Sequence, residues 1–232
     1  MRYPLPLVQG SLIRRYKRFL ADVRLLDGRV VTTHCANPGA MLGITREGLP
    51  VWLLPSDDPK RKLAWSWALV EAEGTLIGVN TSLPNSLVPE ALDAGRIGEL
   101  RGYDRQRREV RYGAASRVDL LLERPGHPIC YVEIKNVHLK RGTEAQFPDC
   151  VSLRAARHMS ELAAMVQAGH RAVVLFVVQR DDCQAFRAAA DLDPGYDRAL
   201  KAAHAAGVEV LCYGCHVGLE GVQITDPMPC MI

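Results

Sequence analysis

No run of apolar residues in this chain is long enough to span a bilayer or to form the core of an export signal. The first 20 residues, MRYPLPLVQGSLIRRYKRFL, contain no such stretch, and the longest apolar run, residues 172–178, has the length of a strand. The protein is therefore expected in the cytoplasm, away from membranes. A disulfide framework is also missing, because seven cysteines scattered from Cys35 to Cys230 are an odd number and are expected to stay reduced in that compartment. Internal repeats, low-complexity segments and a base-reading motif are absent as well. What is present is 232 residues of 48% hydrophobic composition, enough for one large domain or two small ones with real cores.

Charge is nearly balanced at +3, but unevenly: residues 1–84 carry a net +4 and the remainder −1. Basic residues cluster in three places. Arg14, Arg15, Lys17 and Arg18 surround Tyr16, Lys60, Arg61 and Lys62 form a second group, and Arg101, Arg105, Arg107, Arg108 and Arg111 a third. Basic side chains interleaved with an aromatic suit phosphate contact combined with base stacking. A solvated face is the ordinary alternative for such a group.

Residues 1–84 alternate short strand patterns with turns. Residues 19–26 lead into Asp27-Gly28, a hairpin signal, and then into residues 30–34; a turn at Asn37-Pro38-Gly39 precedes strands at 51–54 and near 76–79. This pattern predicts a small β-barrel, and with its basic residues the barrel resembles an OB-fold. Residues 81–85 form the expected junction. From there the pattern becomes α/β: a helix over 87–95 with Glu90 in its first turn, strands near 97–100, 109–112, 117–123 and 129–135, a helix over 151–167 capped by Asp149, a buried strand over 171–179, a helix over 196–206 and a strand over 208–213.

The densest signal lies at SRVDLLLE, residues 116–123, followed after a Pro/Gly turn by ICYVEIK, residues 129–135. The two read as a hairpin that sets Asp119 beside the second strand, where Glu133 and Lys135 share one face and Ile134 points to the other. Two carboxylates hold a hard divalent cation such as magnesium, and a lysine beside them orients or acidifies a water. Glu-x-Lys is common on solvated strands. Here its apolar flanks bury both strands, and charge in a buried strand needs a reason. An Asp followed by Glu-x-Lys on the neighbouring strand is the apparatus of the PD-(D/E)xK nuclease-like fold. In related folds a helix carboxylate precedes the Asp, which makes Glu90 a candidate, with an exposed helix glutamate as the plain alternative.

The chain resembles the bacterial sugar fermentation stimulation protein family along nearly its whole length. The matching strings include LIRRYKRFLADV at 12–23, HCANPGAM at 34–41, VNT at 79–81, SRVDLLL at 116–122, YVEIK at 131–135 and FPD at 147–149. The resemblance implies an N-terminal OB-like β-barrel over 1–84, a PD-(D/E)xK nuclease-like α/β domain with a mixed sheet flanked by helices over 85–232, and sequence-independent DNA binding linked to regulation of sugar (maltose) fermentation. Where the family has a Thr-Glu-Arg-Gly-x-Lys-His pattern, this chain reads SLRAARH at 152–158. Arg154 and His158 are kept and Leu153 replaces a carboxylate.

Two readings follow. In the enzymatic one, Asp119 and Glu133 hold Mg2+ or Mn2+ with the Ile134 carbonyl, Lys135 positions the attacking water, Glu90 joins the acidic set, and Arg154 or His158 holds a phosphate oxygen. In the other, the same fold is a DNA-binding regulator that cleaves nothing. DNA against RNA, and the oligomeric state, stay open. Cys212, Cys215 and His216 spell the haem-attachment motif C-x-x-C-H, but that chemistry belongs to exported proteins; for zinc a fourth ligand is lacking apart from Cys230, so neither cofactor is expected.

Overall fold

A computed structural model describes residues 1–113 and 116–232. The N-terminal part contains β1 (Val8–Tyr16), β2 (Leu20–Leu25), β3 (Val30–His34), β4 (Pro50–Pro55), β5 (Trp65–Ala72) and β6 (Thr75–Gly78). Their order is β3-β2-β1-β4-β5-β6, and His34 of β3 pairs with Ser66 of β5, so the first five strands close into an OB-like barrel. Alternation fills it: Leu12, Ala21, Val23, Val51, Leu53, Trp67 and Val70 are all but sealed from solvent. β1 and β5 lie outside the segments expected to be strands. β1 ends in the basic run that reads as surface, yet its Leu12 and Gly10 face inward between β2 and β4.

The chain then enters α1 (Pro84–Asp93), with Pro84 in the first turn, where its missing N–H costs nothing. The helix starts three residues before its expected beginning, which moves Glu90 out of the first turn. Residues 97–100, expected as a strand, contain instead a 3-10 turn at Gly98–Leu100, with Ile97 and Leu100 buried. A short apolar run does not distinguish these conformations by periodicity.

The second domain contains β7 (Arg105–Tyr112), β8 (Ser116–Glu123), β9 (Cys130–Val137), β10 (Leu139–Arg141), β11 (Glu144–Phe147), α2 (Leu153–Gln167), β12 (Arg171–Val178), β13 (Ala185–Ala188), α3 (Pro194–Ala205), β14 (Glu209–Gly218), β15 (Gly221–Pro227) and β16 (Cys230–Met231). Its main sheet is mixed, in the order β15-β14-β12-β9-β8-β7, and β10-β11-β13-β16 form a smaller sheet. Central β12 is parallel to both neighbours and buried on both faces, as such strands are. Val173, Leu175 and Val177 enter one core with α1 and the barrel residues Trp52 and Leu69. Ala172, Val174, Phe176 and Val178 enter the other with α2 and α3. The barrel is thus continuous with the core under one face of the sheet. No helix among the described residues is long and apolar enough to cross a membrane.

Asp149 does not cap α2. Ser152 does, its side chain accepting from the Ala155 N–H at 3.2 Å. Asp149 turns instead to the barrel, accepting the Met41 N–H at 2.7 Å.

Candidate cation and nucleic-acid site

The pairing of β8 with β9 runs from Leu122↔Cys130 to Leu120↔Val132, so one step further Asp119 stands opposite Glu133. Asp119 Oδ2 there accepts the Ile134 N–H at 2.8 Å, and Asn85 of α1 donates to Oδ1 at 3.2 Å. Glu133 lies on the α2 face, since Val132 and Ile134 on either side of it belong to the opposite core. Its Oε1 accepts from Lys135 Nζ at 2.6 Å and meets Nδ1 of His158 from α2. Arg154 Nε donates to His158 Nε2 at 3.4 Å, which leaves the ring proton on Nδ1, directed at Glu133. Glu133 Oε2 is buried with no hydrogen-bond partner among the described residues.

Their surroundings drive the two acids apart. Burial, with the nearby Glu133 charge adding to it, pushes the Asp119 carboxyl up to about 6. Burial also acts to raise Glu133, but the hydrogen bond from His158 and the Lys135 ammonium outweigh it and hold that carboxyl below its ordinary value. Two carboxyls so close with divergent affinities for protons mark a site suited to charge chemistry.

These side chains line a cleft of about 500 Å3 between the sheet and the barrel, whose far wall is Arg18 and the Asn37-Pro38-Gly39 turn. Asp149 fastens that wall. Its carboxylate holds the Met41 N–H and lies 3.3 Å from His138 Nε2. Gly39 passes so close that a Cβ there would sit 2.6 Å from either Asp149 oxygen, which is why the turn needs glycine.

The cleft gathers some expected residues and leaves others out. Asp119, Glu133, Ile134, Lys135, Arg154 and Arg18 line it. Glu90 does not: it is 45% exposed and pairs with the N-terminal amine at 2.7 Å. Of the basic cluster in β1, Arg14 pairs with Asp22, and Arg15 Nη2 donates to the Arg18, Asn37 and Gly39 carbonyls, so Arg15 shapes the turn rather than facing solvent. Lys17 is at the β1–β2 turn, and Lys60, Arg61 and Lys62 lie exposed on the β4–β5 loop, outside the cleft. His158 is 2% exposed with both nitrogens engaged, so it orients Glu133 rather than offering itself to a phosphate. Cys212 and Cys215 enter cores on opposite faces of the sheet and cannot share a ligand. The sequence reading missed Asn85, Glu109, His138 and Gln146, which also line the cleft. Only Glu109 carries a signal in the sequence, as the one acid within an arginine-rich strand.

A closed OB-like barrel followed by a mixed-sheet domain with three α-helices among the described residues, bearing paired acids beside a lysine, defines the class of this protein. Residues 82–221 match the Sugar fermentation stimulation protein RE domain, and residues 13–79 match the SfsA N-terminal OB domain. The chain belongs to the sugar fermentation stimulation protein family. It is 59% identical over 229 residues to the homolog from Maricaulis maris, covering 98% of this chain and 97% of the other, and 54% identical over 228 residues to that from Paramagnetospirillum magneticum, with the same coverage. The structure of Pyrococcus furiosus SfsA in complex with Ca2+ is similar at a TM-score of 0.91 and 28% identity, covering 100% of this chain and 98% of that one.

Proposed function

We propose that the protein binds nucleic acid without regard to sequence and that its cleft is a divalent-cation-dependent phosphodiesterase centre, within a role in the control of sugar fermentation. The observation that carries this reading is Oε2 of Glu133, buried and without a hydrogen-bond partner among the described residues, on a side chain that lines the cleft together with Asp119. A buried carboxylate oxygen without a donor is costly, and a cation is the partner that suits it. The donor set of Asp119, Glu133 and the Ile134 carbonyl is all oxygen and fits Mg2+ or Mn2+. The Ca2+ carried by the similar P. furiosus protein supports the same choice of ion class.

A bound cation would supply charge neutralisation at the phosphate and a more acidic water. The chain's own residues do the rest. Lys135, 13% exposed and fixed by Glu133, presents an ammonium where the attacking water and the developing phosphorane charge would lie. His158 and Arg154 keep the Glu133 carboxylate in one orientation, as outer partners of a cation ligand do. Arg18, across the cleft, faces the same space and suits the substrate backbone.

A second reading, a DNA-binding regulator without turnover, is favoured by one feature: Glu133 Oε1 is already engaged by Lys135 and His158, and among the described residues no three Asp, Glu, His or Cys side chains stand close enough to hold an ion. The deciding experiment compares purified wild type with Asp119→Ala on single- and double-stranded DNA and on RNA in Mg2+ or Mn2+. Cleavage by wild type alone supports the enzyme. Equal binding by both proteins with no cleavage by either leaves the regulator.

A further inference from the structure

Three carboxylates stand in one row across three adjacent strands. The β8–β9 register sets Asp119 opposite Glu133. The β7–β8 register, with Arg108↔Leu120 and Val110↔Val118 paired on either side, sets Glu109 opposite Asp119. The ladder is irregular at this step: Glu109 and Asp119 are not themselves hydrogen-bonded partners, and Glu109 has a left-handed backbone, so strand alternation does not set the direction of its side chain. Glu109, Asp119 and Glu133 nevertheless all line the same cleft.

Glu109 is unlike the other acids near it. Glu123 is engaged by Arg105 and Arg107, at 3.9 and 3.4 Å. Glu109 lies between Arg108 and Arg111 yet makes no hydrogen bond or ion pair with any described residue, and it is exposed toward the cleft. Its backbone takes a φ of +53°, a conformation a glutamate adopts only where the surroundings impose it. The independent pointer to a ligand is Glu133, 2% exposed, whose Oε2 is buried at this site without a hydrogen-bond partner among the described residues.

Asp119 and Glu133 alone do not complete a cage, and no third Asp, Glu, His or Cys stands within coordinating reach among the described residues as the side chains lie. Glu109 is the acid free to close the set, since it is exposed, unpaired and jointed at three side-chain torsions. We propose that Glu109 is the third carboxylate of the divalent-cation site, swinging in to join Asp119 and Glu133 when the ion arrives. This rests on the reading of the cleft as a cation centre. A third acid matters because affinity for a hard cation rises with the number of charged oxygen ligands, and because it lets the ion offset the repulsion along the row.

The test uses MnCl2 alone, titrated calorimetrically into metal-free full-length protein at neutral pH, with wild type, Glu109→Gln, Glu109→Asp and Asp119→Asn compared. Far-UV circular dichroism and melting without metal establish that each variant is folded. The expected result is one Mn2+ per wild-type chain, affinity at least about tenfold weaker in Glu109→Gln, partial recovery in Glu109→Asp, and loss of binding in Asp119→Asn. Equal Mn2+ affinity in wild type and Glu109→Gln overturns the role of Glu109 while leaving the cation centre in place. Failure of wild type itself to bind Mn2+ overturns the cation centre, and the role of Glu109 with it.

Discussion

The ring Nδ1 of His158 meets Oε1 of Glu133 in the floor of the cleft, and both side chains are only 3% exposed. A sealed carboxylate of this kind depends on its donors. The relationship ties α2 to β9 and makes the helix part of the site's wiring rather than mere cover for the sheet.

Removing that donor leaves the Glu133 charge buried with Lys135 as its remaining partner. His158→Ala is expected to lower stability by about 1.5–3 kcal/mol, the scale for losing a hydrogen bond to a buried charged group. Urea denaturation measures it. The same variant should bind Mn2+ roughly 10–100-fold more weakly, and His158→Asn, which keeps a donor, should recover part of both losses.

Asp119 gives a pH signature. Its folded-state pKa, raised to about 6, lies above its ordinary value of 3.8, so the folded protein binds that proton more tightly than the unfolded chain does. The group therefore favours folding at low pH, and this contribution is lost as pH rises through about 6. Asp119→Asn should consequently be more stable than wild type in metal-free buffer at pH 7–8, by on the order of 2–3 kcal/mol for a shift of this size, measured by urea denaturation. The advantage should shrink below about pH 6 and vanish near pH 4. An Asn variant no more stable at pH 8 than at pH 4, relative to wild type, removes the raised pKa from the account.

Glu109 holds a left-handed backbone that glycine adopts freely. Glu109→Gly should therefore leave stability unchanged or raise it by up to about 1 kcal/mol in metal-free protein, as the relieved strain offsets glycine's entropy cost. Chemical denaturation with and without Mn2+ separates that effect from any loss of cation binding.

Asp149 fastens the barrel turn to the sheet domain. Burial raises its carboxyl, but the His138 ring 3.3 Å away and the hydrogen bond from the Met41 N–H outweigh this and hold it below the ordinary value. A depressed carboxyl contributes stability that is present at neutral pH and lost as pH falls through its folded-state pKa. Asp149→Ala strands the Met41 N–H and should cost about 1–3 kcal/mol. It should also speed proteolysis within residues 37–41, measured by limited digestion and mass spectrometry.

The basic residues divide by what they already hold. Arg18→Ala and Arg154→Ala, at the cleft, should each flatten the dependence of log K on log salt for DNA by about 0.7–0.9. Arg15→Ala should act chiefly on stability, because its guanidinium holds three backbone carbonyls. Fluorescence anisotropy across a salt series, beside thermal melts, distinguishes the two behaviours.

The sequence by itself determined the fold class and the grouping of three side chains at the candidate site. Strand alternation in SRVDLLLE and ICYVEIK placed Asp119, Glu133 and Lys135 together because facing is a local property of a strand, set by its period of two. The apolar run at 172–178 marked the central strand for a different local reason: a strand buried on both faces is apolar at every position. Local pattern failed where a residue's partner lies far along the chain. Glu90 looked like part of the acidic set because it sits on the helix before Asp119, yet the direction α1 takes across the sheet carries it to the N-terminal amine. Asp149 looked like a cap because it precedes α2, but the packing of the barrel gave it a backbone N–H more than 100 residues away. Glu109 lay unnoticed among arginines, since only the register of β7 on β8 sets it opposite Asp119. Strand register, domain docking and the choice among competing hydrogen-bond partners are decided by long-range packing, and these are what only the tertiary structure supplied.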